Sequence, residues 1–142
     1  MAETVLPTQI QLDIVTPDRQ VVHDIVSSVT IPGKNGYLGI LPGHAPLLSE
    51  LKAGEVVYTR QEAKHYLAVS WGFAEVLPER CIILVQTAER AEEIDLARAE
   101  RALERAEEQL KKVSDPTVDA AAAHEAYERA LARLQAARRA GG

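Results

Sequence analysis

The chain changes its chemical character near Thr87, and that change constrains the fold more than any other feature. Before it lie nearly all the glycines and prolines and many β-branched residues. After it Ala, Glu, Arg and Leu dominate, with only Pro116, Gly141 and Gly142 as breakers. β-Branched side chains suit a pleated surface, whereas Ala, Leu, Glu and Arg lose little freedom in a helix. Residues 1–87 therefore predict a strand-built domain and residues 88–142 a helical one.

The first part alternates with period two. In Gln9-Ile10-Gln11-Leu12-Asp13-Ile14 every second residue is apolar, as a half-buried strand requires. Similar runs follow at Ser28–Ile31, Val56–Thr59, His65–Trp71 and Phe73–Leu77. Turn chemistry separates them at Thr16-Pro17-Asp18, Pro32-Gly33-Lys34-Asn35-Gly36, Pro42-Gly43-His44, Ala53-Gly54 and Leu77-Pro78-Glu79. Many short strands at this spacing predict an antiparallel β-sandwich or barrel. Cys81-Ile82-Ile83-Leu84-Val85 does not alternate, which predicts a strand covered on both faces, one by the core and the other by the helices that follow.

In the second part Leu96, Ala99, Leu103, Ala106, Leu110 and Val113 share one helical face. Glu92, Glu93 and Asp95 load the first turns of this helix with negative charge and Lys111 and Lys112 load its last turn with positive charge, both favourable to the helix dipole. Ser114-Asp115-Pro116 stops the helix and starts a second, which runs to about Arg139 with Ala123, Tyr127, Ala130 and Leu134 on one side. So short a connection predicts an antiparallel two-helix hairpin, and an α+β chain as a whole. Alanine in both stripes buries little area, so the hairpin should hold itself together only weakly.

Composition excludes several classes of function. A net charge of −5 disfavours general nucleic-acid binding, because a polyanion is best held by a basic surface. One cysteine, Cys81, allows no internal disulfide and implies a reducing compartment. Met1–Pro7 lacks the basic and apolar stretches of a secretory signal, and no apolar run approaches the length of a membrane span. His44 has no Ser, Cys or acid beside it in a triad-like pattern, and His23, His65 and His124 show no metal-ligand spacing. No catalytic residue and no metal site is expected, and His44 reads as a turn or interface histidine.

Gly36-Tyr37-Leu38-Gly39-Ile40-Leu41-Pro42-Gly43-His44-Ala45-Pro46-Leu47-Leu48 resembles the glycine-proline signature of the epsilon subunits of F-type ATP synthases. Gly72-Phe73-Ala74-Glu75-Val76 and Ala88-Glu89-Arg90 continue the match, in the family's order of sandwich and then hairpin. Trp71 departs from the pattern, which usually has glycine there, and suggests altered packing or a partner contact. The resemblance implies a non-catalytic central-stalk subunit that couples proton-driven rotation to ATP synthesis. Its partners would be the gamma subunit, the ring of c subunits and the catalytic alpha/beta hexamer, with membrane association only through that complex. The expected place is the cytoplasmic face of a bacterial plasma membrane.

Some members of that family bind ATP through the hairpin, and the matching positions here are Glu89, Ile94, Asp95, Arg98, Ala99, Arg105, Arg129 and Arg133. At about 100° per residue Asp95, Arg98 and Arg105 fall within a quarter of one helix's circumference. Arg129 and Arg133 are one turn apart on the other helix, so folding would bring four guanidinium groups near one point. Such a cluster suits triphosphate oxygens, with Mg²⁺ accompanying them. No glycine-rich phosphate loop is present, so binding would regulate without turnover. The plainer alternative is a set of solvated helix charges, each i, i+3 pair worth only about 0.2–0.5 kcal/mol. The resemblance also implies that an extended hairpin, with Arg129, Arg133, Arg138 and Arg139 near its end, inhibits ATP hydrolysis by meeting an acidic loop of the hexamer. The competing expectation is a structural rotor connector that senses nothing.

Overall fold

The computed structural model describes residues 6–141, so much of the stretch read for a targeting signal, and Gly142, lie outside the described residues. Ten strands come first: β1 Ile10–Val15, β2 Gln20–Val26, β3 Ser28–Gly33, β4 Gly36–Ile40, β5 Leu47–Leu51, β6 Gly54–Arg60, β7 Ala63–Val69, β8 Gly72–Leu77, β9 Arg80–Val85 and β10 Ala88–Arg90. A short 3-10 turn, Ala91–Glu93, leads into helices α1 Leu96–Lys111 and α2 Ala120–Gly141. The expected sandwich and helical hairpin both form, and the sheet runs three residues past the change in composition.

Hydrogen-bonded neighbours follow the order β10-β7-β6-β3-β5-β8-β9-β1-β2, with β4 paired to β3. β3 and β5 share only the Gly33–Leu51 pair, and there the sheet folds over into two layers. Arg90 closes the far ends together: it donates to Tyr58 Oη at 3.2 Å and to the Val21 carbonyl at 3.1 Å, joining β10 to β2. The core between the layers holds Ile10, Leu12, Ile14, Val29, Ile31, Val56, Leu67, Val76, Ile83 and their neighbours, the inward halves of alternating strands.

Most pairings are antiparallel, but β1 and β9 run parallel, with Leu12 beside Cys81 and Ile14 beside Ile83. Alternation sets which face is buried and says nothing of partner or direction. Asp13 is tied in at this junction. Its carboxylate, only 3% exposed, takes Arg80 Nε at 3.3 Å, Gln20 Nε2 at 3.0 Å and the His23 ring. Burial pushes its carboxyl up, but His23 and Arg80 outweigh that and hold it below the usual range.

Four strands escaped the sequence reading. β2 carries Gln20, His23 and Asp24, β4 is glycine-rich, β5 exposes Leu47 and Leu48, and β10 is three residues long. The expectation for β9 needs correction. Cys81, Ile83 and Val85 are buried, but Leu84 is 52% exposed and the helices pack on β6 and β7 instead. A run of apolar β-branched residues fits either face, so only the neighbours decide which is covered. Buried Cys81 is an inert thiol, pushed up to about 12 by burial and then by the Asp13 charge.

The helices dock in sequence of dependence. α2 lies on the outer face of β6 and β7, and α1 packs chiefly on α2. Ala123, Ala130 and Leu134 of α2 are buried as expected, and Tyr127 is half-buried. A second buried face, Ala132 and Ala136, joins Ala68 of β7 and half-buried Tyr66 in a satellite cluster with Ala99 and Ile94. On α1, Ala99 and Ala106 are covered, but Leu96 at its start stays 42% exposed and Val113, which falls in the turn beyond its end, 45% exposed, so the stripe is sheltered only along its middle.

Near the end of α2, Arg139 reaches Glu55 of β6, with Nε 3.3 Å from Oε2 but out of line for a hydrogen bond, and lies over the Tyr66 ring at 5.5 Å. Glu55 is 5% exposed. Burial pushes its carboxyl above the ordinary value of 4.5, and Arg139 offsets only part of that. A carboxyl raised by folding contributes most stability when protonated, and that contribution is lost as pH rises through its folded pKa. Glu55→Gln should therefore melt at a higher temperature than the parent at pH 7. The difference should fade as pH falls toward 4.5 and below. A lower melting temperature for the variant at pH 7 would show instead that the Arg139 attraction dominates.

Candidate functional site: an arginine-lined groove beneath the hairpin

A groove of about 480 Å³ opens where the hairpin meets β10. Its floor is alanine: Ala102 and Ala106 from α1, and Ala123, Ala126 and Ala130 from α2. Helices joined through methyl groups approach closely yet leave depth at the seam, because no long side chain fills it. Its polar walls are Arg105 and Gln109 of α1, Arg129 and Arg133 of α2, and Thr87 and Glu89 leading into and along β10.

Four of the eight positions expected from the sequence thus meet at one place: Glu89, Arg105, Arg129 and Arg133. Arg133 is already engaged. Its Nη2 donates to Glu89 Oε2 at 3.3 Å, and its Nε stands 2.8 Å from Oε1, off the N–H axis. Arg129 makes no ion pair among the described residues, and its guanidinium carbon sits 5.8 Å from the Trp71 ring centroid. Arg105 is exposed along α1. With three cations against one carboxylate, the groove carries a net positive charge that a polyanion would neutralise.

The other four positions serve differently. Ala99 is fully buried and Ile94 is 9% exposed, so both pack in the satellite cluster. Asp95 is the N-cap of α1, its carboxylate accepting the Arg98 backbone N–H at 3.1 Å. Arg98 is exposed and does not line the groove. It stands one turn before Ala102 on the face that continues through Arg105 and Gln109, so it borders the groove's upper end. Three guanidinium groups converge, with the fourth on the same helix face beyond them.

Trp71, Ala126 and Gln109 were not foreseen as site residues. Trp71 stood out only as a departure from the family pattern, and the contact it makes is with the chain's own Arg129. His44 Nδ1 lies 2.7 Å from the neighbouring Ala45 carbonyl in its turn. Gly43 in that turn has φ +83°, a conformation L side chains rarely adopt. Among the described residues no three or more metal-ligating side chains gather.

Known proteins match this architecture along nearly the whole chain. A family model described as ATP synthase, Delta/Epsilon chain, beta-sandwich domain matches residues 9–91. A second, ATP synthase, Delta/Epsilon chain, long alpha-helix domain, matches residues 92–138. The chain is 45% identical over 129 residues to the ATP synthase epsilon chain of Trichlorobacter lovleyi, covering 91% of this chain and 94% of that one. It is 50% identical over 129 residues to the ATP synthase epsilon chain of Moorella thermoacetica, covering 90% and 96%. Among solved structures it resembles a chain in the cryo-EM structure of the Euglena gracilis mitochondrial ATP synthase, OSCP/F1/c-ring in rotational state 1. The TM-score is 0.82 at 27% identity, over 96% of this chain and 86% of that one.

The cap on α1 gives a direct test of what Asp95 does. Asp95→Ala should cost about 1 kcal/mol and speed hydrogen exchange in the first turn of α1. Asp95→Ser should restore most of the loss, since a hydroxyl also caps. Equal losses in both variants would show that capping is not the source.

Proposed function

Because the chain belongs to the epsilon-chain family of ATP synthases, we propose that its hairpin is an ATP-sensitive brake on ATP hydrolysis. As a member of that family it is a non-catalytic subunit of the central stalk. The observation that carries the regulatory reading is the convergence of Arg105, Arg129 and Arg133 on one groove, with Glu89 neutralising only one of them. The groove's size suits a small ligand. Guanidinium forks match phosphate oxygens, the alanine floor accepts a flat ring, and Mg²⁺ would travel on the phosphates.

In the docked hairpin three of the four arginines of α2 rest against the chain's own groups: Arg129 on the Trp71 ring, Arg133 on Glu89 and Arg139 on Glu55. An extended hairpin frees them for an acidic segment of the catalytic hexamer. Ligand and hexamer then compete for one set of charges. A ligand selective for the docked form stabilises it by about 2.7 kcal/mol at one hundred times its Kd, enough to decide between two weakly separated states. High ATP keeps the hairpin docked and permissive, and low ATP releases it to block wasteful hydrolysis.

The sandwich would anchor the chain to the gamma subunit and the c-subunit ring at the cytoplasmic face of a bacterial membrane. No helix among the described residues is long and apolar enough to cross a membrane. The outer face of β5, β8 and β9 supports an anchoring role. Phe73 and Leu84, paired across β8 and β9, are 54% and 52% exposed, and Leu48 of β5 is 71% exposed. Clustered apolar exposure of this kind marks a protein-contact surface.

A rotor connector whose hairpin never leaves is the rival reading, favoured by the Glu89–Arg133 pair, which holds without any ligand. Calorimetry of the whole chain with Mg-ATP separates the two: the brake requires heat at millimolar ATP, reduced by Arg105→Ala and Arg133→Ala. Removing residues from Asp95 onward leaves β10 in the sheet and should raise ATP hydrolysis by the reassembled complex. Unchanged hydrolysis would refute the brake. Phe73→Glu should weaken assembly with the rotor while the isolated chain keeps its melting temperature; undiminished assembly would place the anchor elsewhere.

A further inference from the structure

Arg129 and Arg133 lie one turn apart on α2, yet the sandwich holds them by unlike means. Glu89 meets Arg133 with charge and takes up its Nη2 donor. Trp71 meets Arg129 with a ring face, 5.8 Å from guanidinium carbon to centroid. A ring face attracts a cation through its quadrupole but neither cancels the charge nor occupies the in-plane N–H donors. Among the described residues Arg129 forms no ion pair, so its charge stands open at the groove wall.

Trp71 is a fixed support. Its carbonyl accepts Gln86 N–H at 3.0 Å. On its other side Ser70 N–H donates to the Thr87 carbonyl at 3.0 Å, and Thr87 N–H donates to Ser70 Oγ at 2.9 Å. The next residue is Gly72, where a Cβ would lie 1.8 Å from the Leu84 carbonyl oxygen, so the chain is pressed against β9 at this point. Thr87 itself lines the groove, and Glu89 follows two residues later. Trp71 and Glu89 therefore belong to one hydrogen-bonded frame that presents a π-face and a carboxylate to successive arginines.

We infer that Trp71 is a positioning residue for anion recognition: its ring holds Arg129 at the groove with charge and donors free for the phosphate oxygens of a nucleoside triphosphate. This rests on the ATP reading above. The neutral aromatic suits the task because a second carboxylate in place of Trp71 would spend the charge that the ligand needs.

Trp71 is the chain's one tryptophan, so all tryptophan emission comes from this position. The full-length chain would be titrated with Mg-ATP, and separately with inorganic triphosphate, following heat and tryptophan emission together. Emission should change and saturate over the same concentrations as the heat, for both ligands, and Arg129→Ala should abolish the emission change. Trp71→Leu should weaken Mg-ATP binding about two- to fivefold, the loss expected for an exposed cation–π contact. Trp71→Phe, which keeps a π-face, should recover most of it at an unchanged melting temperature. Heat with silent emission and an unchanged Kd in Trp71→Leu would overturn the positioning role and leave the ATP reading standing. Equal weakening in the Phe and Leu variants would also overturn it. No heat with either ligand would overturn the ATP reading and this role with it.

Discussion

An alanine-rich contact between the helices and the sheet sets the geometry of this molecule. Ala68 of β7 meets Ala132 and Ala136 of α2, and Ala99, Ala106, Ala123 and Ala130 line the seam between the helices. Small side chains let backbones approach closely but bury little apolar area, so the interface is well defined and only modestly stable. The candidate groove lies along that interface. The groove exists because alanine leaves it empty, and its walls belong to both domains.

Docking is also hierarchical. α1 rests chiefly on α2, and α2 rests on β6 and β7. The polar holds beside the alanine seam engage arginines of α2: Arg129 on Trp71, Arg133 on Glu89, Arg139 on Glu55. Each differs in cost. A π-face leaves the charge open, a half-exposed carboxylate pairs with it, and a buried carboxylate pays heavily in desolvation for a partner that is itself half in solvent. It is on a hairpin held this way that the proposed ligand would act, by binding its docked form more tightly than any other.

The site was partly legible in the chain. Arg105, Arg129, Arg133 and Glu89 could be named because the family pattern has matching residues there, and helical spacing set Arg129 and Arg133 one turn apart on one face. Asp95 was legible as a charged residue at a helix start, but its capping bond with Arg98 N–H depends on the backbone bend there. The roles of Trp71 and Glu55 were illegible. Trp71 is 58 residues from Arg129 in sequence, and Glu55 is 84 from Arg139. No local period connects residues so far apart.

The sequence by itself determined the two-part build, the alternation that buries one face of each strand, the alanine stripes and the stock of arginines near the second helix. These follow from propensity and periodicity, which act over a few residues. Tertiary structure alone decided that β1 runs parallel to β9, that β9 keeps one face open, and that α2 has two buried faces. It also decided which arginines are held and by what. Those outcomes depend on which surfaces meet once the chain is compact, and a residue's neighbours in space are fixed by the packing of whole elements.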